Sequence, residues 1–232
     1  MHLFYTPDIN GEVHRLDEQE SKHAIRVLRL QKGEEVVLVD GRGGWYEARV
    51  EDPGLKACVL SVVRKESREA EVPYELHIAL SPTKNMDRFE WFLEKAVEIG
   101  ITEITPLMCE RTERKGVRED RLTRIMVSAM KQSLKARLPV LHPATDFATF
   151  IAQQRKGLLA IAHCEDSRRM SMKDLGQQHA YTVLVGPEGD FSPGEIKAAM
   201  DSGYTPLHLG ASRLRTETAG VHVCSALQVL NS

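Results

Sequence analysis

The chain has 232 residues, of which 42% are hydrophobic and 28% are charged. A chain of this length forms one large domain or two small ones, and the composition is typical of a folded protein rather than a disordered one. The longest apolar runs, such as Leu158–Ala162, are far shorter than the ~20 residues that a membrane helix needs. Residues 1–20 carry acidic side chains and lack an apolar core, so neither a membrane span nor a signal peptide is predicted.

The four cysteines, at positions 58, 109, 164 and 224, are far apart in the sequence. No two of them have CxxC spacing, none has metal-ligand spacing to a histidine, and the nine histidines contain no HExxH motif. We therefore expect free, buried thiols in a cytoplasmic protein, with neither a disulfide framework nor a metal site.

Charge is distributed unevenly along the chain. The formal net charge is −2, which excludes a protein that is basic as a whole, but residues 111–137 hold nine basic and three acidic residues. Such a local excess suits the phosphate backbone of a nucleic acid, and it is equally typical of a solvated helix face. The basic residues are Arg111, Arg114, Lys115, Arg118, Arg121, Arg124, Lys131, Lys135 and Arg137.

Residues 1–71 have the pattern of a small domain rich in β-strands. Gly41–Gly44 separates two strand patterns, which predicts a hairpin, and the absence of a following helix argues against a phosphate-binding loop. Lys65–Val72 is polar, ends before Pro73 and is predicted to be a linker. The predicted elements are a short helix over Ser21–Leu30 and strands over Val36–Asp40, Trp45–Val50 and Ala57–Val63.

From Tyr74 onward, strand patterns alternate with helical patterns, which predicts an α/β domain with a parallel sheet over residues 72–232. Gly100 is placed to cap the first helix, and Ser192–Glu195 has the sequence of a capping box. The predicted strands are Glu75–Leu80, Ile101–Met108, Leu158–Cys164, Tyr181–Val185 and Pro206–Leu209, and the predicted helices are Asn85–Ile99, Glu119–Leu134, a helix from Ser192 to near Gly203, and Thr216–Leu230.

Two glycine-bearing turns, Gly186–Asp190 and Gly210–Arg213, follow strands of the predicted sheet. In open α/β sheets, ligands bind beyond the carboxyl ends of the strands, and glycines allow backbone amides to approach a ligand closely. These turns predict either a ligand site or two ordinary connections between a strand and a helix. Neither turn has the GxGxxG or GxxxxGKS/T pattern of nucleotide-binding loops, and no nucleophile elbow is present.

The stretch Arg213–Ala219 places polar residues directly before an apolar helix. Thr216 or Thr218 is suited to cap that helix, and Glu217 favours its positive end. The alternative is that an arginine and a carboxylate of this stretch face a substrate beside the second turn.

Several motifs recur in one order along the chain. Gly186–Gly189 is followed by Leu209-Gly210 and then by Leu214–Ala219. This set resembles the ribosomal RNA small subunit methyltransferase E family, of the SPOUT superfamily of knotted methyltransferases. The same family pattern is matched by His23, Val27–Arg29, Gly33, Lys84, Arg88, Glu90, Lys95, Glu98, Gly100, Gln132, Ser133, Arg137 and Pro139.

The resemblance implies a PUA-like β-barrel that binds RNA over residues 1–71 and a SPOUT α/β domain with a deep trefoil knot over residues 72–232. The implied cofactor is S-adenosylmethionine, and no metal is implied. The implied reaction is methylation of N3 of one uridine in the 16S ribosomal RNA of the small subunit. The family works as a homodimer whose active sites draw on both chains.

The resemblance also implies roles for individual residues. Glu217 becomes the candidate base or orienting acceptor, and Arg215 is the candidate for contact with the uracil oxygens or a phosphate. The implied cofactor-binding residues are Ala162, His163, Gly186, Pro187, Glu188, Gly189, Leu209, Gly210, Ser212, Leu214 and Thr216. The implied RNA-binding residues are His23, Arg26, Arg29, Lys84, Arg88, Arg111, Gln132 and Arg137.

Three positions depart from the family pattern. Asp190 stands where a glycine is common, Ser212 where an arginine is usual, and Lys135 where an arginine is frequent. Lysine lacks the bidentate geometry of arginine toward a phosphate. Two alternative functions stay open at this point: a knotted methyltransferase that acts on transfer RNA, and an RNA-binding module without catalysis.

Overall fold

A computed structural model describes residues 1–68, 72–165 and 169–232. Its contacts divide the chain into two compact units. The first unit comprises Met1–Glu71 and Met130–Leu138, and the second comprises Val72–Ala129 and Pro139–Ser232. The chain therefore returns to the first unit over residues 130–138, which a division of the sequence at residue 71 does not include.

The first unit contains a sheet of five strands and a short helix. The elements are β1 (Leu3–Tyr5), β2 (Val13–Arg15), α1 (Glu18–Lys22), β3 (Glu35–Val39), β4 (Gly44–Pro53) and β5 (Cys58–Ser67), with a π-helical turn over His23–Val27. The strand order is β1-β3-β4-β5-β2, antiparallel except for the parallel pair β1 and β3.

The predicted hairpin between β3 and β4 is confirmed. The carboxylate of Asp40 accepts hydrogen bonds from the backbone N–H groups of Arg42 (2.7 Å) and Gly44 (2.9 Å), which fixes the turn. Burial alternates from Tyr46 to Val50 along β4 because one face of the strand packs on the core and the other is exposed.

The linker predicted over Lys65–Val72 is wrong in its first half. β5 continues to Ser67, and Lys65 lies opposite Tyr46 of β4. Polar residues belong to a strand here because the ladder satisfies the backbone while the side chains of Lys65 and Ser67 are exposed. Residues 69–71 of the predicted linker lie outside the described residues.

The second unit is an α/β structure. Its strands are β6 (Glu75–Leu80), β7 (Glu103–Met108), β8 (Val140–Leu141), β9 (Thr145–Asp146), β10 (Leu158–Ala162), β11 (Met170–Ser171), β12 (Ala180–Val185) and β13 (Thr205–His208). Its helices are α2 (Met86–Ile99), α3 (Glu119–Gln132, whose last residues belong to the first unit), α4 (Phe147–Ile151), α5 (Pro193–Asp201) and α6 (Thr216–Leu230), with a 3-10 turn over Met172–Leu175.

The sheet of this unit has the order β11-β13-β10-β12-β6-β7-β8, and β9 pairs with β7. Every one of these pairs is parallel, so the predicted α/β class with a parallel sheet is confirmed. The deep trefoil knot stays a prediction from the resemblance. Within the described part of the chain, no helix combines the length and apolar character needed to cross a membrane.

Local sequence signals explain the bounds of the main helices. Asn85 caps α2 by accepting a hydrogen bond from the backbone N–H of Asp87 (3.1 Å), and Gly100 ends the helix with a φ of 129°. The capping box predicted for α5 is confirmed, with Ser192 and Glu195 bonding each other's backbone N–H groups. α5 shares a hydrophobic core with residues of the sheet, and α2 packs against α6.

Candidate active site

A cavity of about 330 Å³ lies at the carboxyl ends of the three adjacent parallel strands β13, β10 and β12. The loops that follow these strands form its walls, and the start of α6 closes one side. The lining residues are Ala162, His163, Cys164, Arg169, Val185, Gly186, Pro187, Glu188, Asp190, Leu207, His208, Leu209, Gly210, Ser212, Arg213, Leu214, Arg215, Thr216 and Ala219.

Of the eleven residues predicted to bind a cofactor, all but Gly189 line this cavity. They are far apart in the sequence, and the parallel pairing of three strands brings them together. Gly189 lies on the same loop as Gly186, but its carbonyl accepts a hydrogen bond from Arg111 Nη1 (2.9 Å). A cofactor-binding role for these residues stays a prediction.

The loop after β12 is attached firmly to its surroundings. The buried hydroxyl of Thr216 donates to the carbonyl of Gly186 (3.0 Å), which joins the loop to the first turn of α6. The backbone N–H of Lys84 donates to Glu188 Oε1 (3.0 Å). A Cβ at Gly186 would meet the Phe191 ring at 3.0 Å, so only glycine fits this position without movement of the ring.

The same contacts correct the predicted cap of α6. The N-cap residue is Arg215 rather than Thr216 or Thr218, and the Arg215 side chain makes no capping hydrogen bond. Thr216 is the first residue inside the helix, and its hydroxyl donates to the carbonyl of Gly186.

His163 is a buried polar side chain that lines this cavity, with 4% of its surface exposed. Neither ring nitrogen has a hydrogen-bond partner within the described structure. Burial, with a smaller effect from the charge of Arg169, lowers the pKa of this imidazole, so the ring is neutral at pH 7. One nitrogen then donates and the other accepts, and both functions are available to a ligand.

Charged groups of both signs also line the cavity. Glu188 and Asp190 contribute carboxylates, while Arg169, Arg213 and Arg215 contribute guanidinium groups. A ligand that carries both a carboxylate and a cationic group is complementary to such a lining.

The two candidate catalytic residues occupy different environments. Arg215 is exposed and lines the cavity. Glu217 does not line the cavity; 8% of its side chain is exposed, and its Oε1 lies 3.9 Å from Arg88 Nε of α2. The second oxygen, Oε2, is buried and has no hydrogen-bond partner in the described structure.

The RNA-binding candidates of the first unit are exposed. His23 and Arg26 lie on the π-helical turn, and Arg29 follows it with a positive φ of 58°. Gln132 and Arg137 are exposed as well, and the backbone of Arg137 bridges the turn between β3 and β4.

The candidates of the second unit are engaged with neighbouring groups. Lys84 Nζ lies 2.8 Å from Glu113 Oε2, and Arg88 faces Glu217. Arg111 Nη1 donates to the carbonyls of Gly189 (2.9 Å) and Phe191 (3.4 Å).

Acidic neighbours also balance part of the basic segment over residues 111–137. Arg124 Nη2 lies 2.8 Å from Asp120, and Arg121 Nη2 donates to Glu90 (2.8 Å). The local excess of positive charge is therefore smaller on the folded surface than in the sequence.

A group with metal-ligand chemistry lies elsewhere in this unit, where sequence spacing gave no sign of one. Ligand atoms of His77, Glu103 and His142 lie within 4.8 Å of one another. Arg155 Nη1 lies 2.8 Å from His77 Nδ1, and the Thr105 hydroxyl lies 2.8 Å from its Nε2. The guanidinium already supplies the positive charge of this cluster, which we interpret as a hydrogen-bond network.

Sequence reasoning missed several lining residues of the cavity. Val185 and Leu207 lie at strand ends and carry no polar signal, and Cys164 follows the end of β10 by two residues. The position of each at or just after a strand's carboxyl end is the signal that could have identified them.

Two family models match the chain in the order of its units. A model described as the RNA methyltransferase PUA domain matches residues 16–63, and one described as the RNA methyltransferase domain matches residues 70–228. The second model covers more than half of the chain. The first model, over residues 16–63, confirms the predicted PUA-like character of the first unit.

Individual proteins give the same assignment. The ribosomal RNA small subunit methyltransferase E of Mycobacterium bovis is 30% identical, over 99% of this chain and 92% of that protein. The crystal structure of a probable rRNA methyltransferase from Porphyromonas gingivalis is 41% identical, with a TM-score of 0.94 over 100% of this chain and 98% of that one.

A third similar protein was solved with a ligand. The ribosomal RNA small subunit methyltransferase E of Neisseria gonorrhoeae, bound to S-adenosylmethionine, is 27% identical and has a TM-score of 0.86 over 99% of this chain and 98% of that one. The matched models, the relatives and the ordered motifs agree, and the chain belongs to the ribosomal RNA small subunit methyltransferase E family.

Proposed function

We propose that this protein transfers a methyl group from S-adenosylmethionine to N3 of a uridine in 16S ribosomal RNA. The observation that carries this proposal is the cavity at the carboxyl ends of β13, β10 and β12, lined by two glycine-bearing loops. Family membership supports it, as does the ligand of the similar Neisseria gonorrhoeae protein.

The residues of the cavity fit S-adenosylmethionine, which carries a carboxylate, an ammonium, a sulfonium and an adenosine. The unpartnered nitrogens of His163 offer it a donor and an acceptor. Arg169 and Glu188 offer charges of opposite sign for its amino-acid portion. At Gly210 a Cβ would meet nothing within 4 Å, and this glycine has a φ of 120°, so the backbone there is open to a flat base. When bound, the cofactor supplies an electrophilic methyl group on its sulfonium sulfur.

Glu217 is the proposed acceptor of the uridine N3 proton. N3 belongs to a weakly acidic imide, so it becomes a nucleophile only when that proton is removed. Glu217 Oε2 has no hydrogen-bond partner in the described structure and is free to accept it. Glu217 lies outside the cavity lining and beside Arg88, whose side chain is 41% exposed, so we assign the approach of the uracil to the side of Arg88.

Arg215 is the proposed partner of the uracil oxygens. Its guanidinium is permanently charged, exposed and at the edge of the cavity. Loss of the N3 proton spreads negative charge onto the two carbonyl oxygens of uracil, and a fixed cation there stabilises that charge. In this proposal Glu217 accepts the N3 proton, and Arg215 stabilises the uridine anion that is left.

Binding of the RNA itself is assigned to the exposed basic residues of each unit. His23, Arg26 and Arg29 in the first unit are exposed and suited to phosphates. In the second unit Lys84 is exposed beside the cofactor loop, where Glu113 holds its ammonium group.

We propose a homodimer as the working form. Family resemblance is the main support. The exposed side of α6 also carries Val229, 75% exposed, at the edge of a groove lined by Met172, Ala226 and Leu230. A second copy of the chain would cover such an apolar surface. Light scattering after size exclusion is expected to give twice the 26.1 kDa chain mass.

Methyl transfer from radiolabelled S-adenosylmethionine tests the proposed function. Three acceptors are offered separately: small subunits that lack the modification, naked 16S RNA and bulk transfer RNA. We expect label in small-subunit RNA. Label in transfer RNA would instead identify a knotted transfer-RNA methyltransferase, and folded protein without transfer to any acceptor would favour an RNA-binding module.

A further inference from the structure

Asp190 has a backbone conformation that most side chains avoid. Its φ is 63°, in the left-handed region, where glycine is favoured and where aspartate and asparagine are tolerated better than other residues. The family pattern has a glycine at this place in the loop. An aspartate there carries a steric cost, so its side chain is expected to make compensating contacts.

The carboxylate of Asp190 makes two such contacts. Oδ2 accepts a hydrogen bond from the backbone N–H of Cys164 (2.8 Å), and Oδ1 accepts one from the N–H of Phe191 (2.8 Å). The first bond joins the loop after β12 to the loop after β10. Both joined residues line the cavity, and they are 26 positions apart in the chain.

Among the residues that the structure describes, we find no second hydrogen bond between these two loops. The remaining attachments of the loop after β12 lead elsewhere, to Lys84, Arg111 and Thr216. β10 and β12 are paired up to Ala162 and Val185, and the Asp190 carboxylate adds the hydrogen bond that joins the two loops beyond these strand ends. A charged acceptor bonded to a backbone N–H makes a stronger hydrogen bond than a neutral pair does.

We infer that Asp190 is a positioning residue that latches the two walls of the cavity and so preorganises it for the cofactor. This inference rests on the proposed function, because it assumes that the cavity binds S-adenosylmethionine. Preorganisation raises affinity by lowering the cost of ordering the loops on binding. The latch acts through loop geometry, so it must affect any ligand that spans both walls, whatever the ligand's charge.

Titration calorimetry on the intact protein tests the latch with two ligands. One is S-adenosylmethionine, and the other is its demethylated product, a neutral sulfide of otherwise equal structure. In Asp190→Gly, which relieves the backbone cost and removes both acceptors, we expect Kd to rise about tenfold for both ligands. Asp190→Asn keeps one acceptor oxygen and should fall between the wild type and Asp190→Gly.

The matched control is Asp201→Asn, which removes one carboxylate charge at an exposed ion pair on α5. It should bind both ligands as the wild type does. Thermal unfolding of the Asp190→Gly protein without ligand should occur near the wild-type temperature, because relief of the positive φ offsets the loss of the two hydrogen bonds. In steady-state assays, KM for the cofactor should rise while kcat is retained.

Two results would overturn the latch while leaving the proposed function intact. One is wild-type affinity in Asp190→Gly. The other is weakened binding of S-adenosylmethionine with unchanged binding of the neutral sulfide, which would assign Asp190 an electrostatic role instead. Absence of binding by the wild-type protein would overturn the proposed function itself and the latch with it.

Discussion

Arg215 and Glu217 are two positions apart in the sequence, yet the structure gives them different surroundings. Arg215 is exposed at the edge of the cavity, whereas Glu217 is buried beside Arg88. The sequence identified both as candidate catalytic residues because they lie in one polar stretch. It contained no signal for the contact with Arg88, because that residue lies on another helix, 129 positions earlier.

Replacing Glu217 by glutamine tests its role as proton acceptor. The amide has nearly the same shape but does not accept the N3 proton, so we expect methyl transfer to fall at least ~100-fold. Affinity for S-adenosylmethionine should be unchanged, because Glu217 does not line the cavity. The matched control is Glu119→Gln, an exposed glutamate in the first turn of α3. Full activity of Glu217→Gln would assign the carboxylate to packing.

His77 gives the protein a pH-dependent stability. Burial, together with the charges of Arg155 and His142, lowers the pKa of this imidazole to about 3, so it is neutral beside Glu103 at pH 7. The unfolded chain has the ordinary histidine pKa near 6.5 and binds a proton that the folded protein excludes. The stability from His77 is therefore complete above pH ~6.5 and falls as the pH drops toward ~3.

We expect this single group to remove about 1 kcal/mol of unfolding free energy per pH unit below pH ~6. Urea unfolding at a series of pH values from 7.5 to 4.5 measures the slope. His77→Gln should flatten it, and His179→Gln, at an exposed histidine, should not. Equal slopes for His77→Gln and the wild type would contradict the assignment.

Gly220 lets α6 pack against α2 and β6. A Cβ there would lie 2.5 Å from Leu80 Cδ1 and 2.6 Å from Phe92 Cε2, and both neighbours are fully buried. We expect Gly220→Ala to destabilise the protein by about 1–3 kcal/mol, because neither side chain has room to move.

Denaturant unfolding measures this effect. Gly116→Ala is the control, since a Cβ at Gly116 meets nothing within 4 Å. A Gly220→Ala protein as stable as the wild type would show that the interface between these elements adjusts to the extra methyl group.

At the scale of elements, helices with clear periodicity were predictable from sequence. Thr216–Leu230 has the predicted bounds, and α2 begins one residue after its predicted start because Asn85 is the cap. The strands that sequence reasoning missed have two or three residues, such as Val140–Leu141 and Met170–Ser171. Segments this short carry no measurable alternation, and pairing with a neighbouring strand is what defines them.

The candidate site was predictable in part for a related reason. Fold rules place strand-end loops together, so Gly186 and Gly210 were expected to be neighbours. The bonds from Arg111 to Gly189 and from Cys164 to Asp190 depend on the folded arrangement, and no spacing in the sequence encodes them.

For the whole molecule, the distribution of charge decides which basic residues meet RNA. Arg26 is exposed on the π-helical turn, whereas Arg124 is paired with Asp120 at 2.8 Å. A phosphate contact releases a counterion, so Arg26→Ala should reduce the magnitude of the salt slope of RNA binding by about 1. Arg124→Ala should leave that slope unchanged. Filter binding from 50 to 300 mM salt gives both slopes, and an unchanged slope in Arg26→Ala would place that residue on a solvated face.

The identity of the methylated atom tests the central claim most directly. Small-subunit RNA methylated by the wild-type protein would be digested to nucleosides and analysed by chromatography and mass spectrometry. The proposed chemistry of Glu217 and Arg215 predicts 3-methyluridine. A methyl group on a ribose 2′-hydroxyl, or on any base other than uracil, would contradict it.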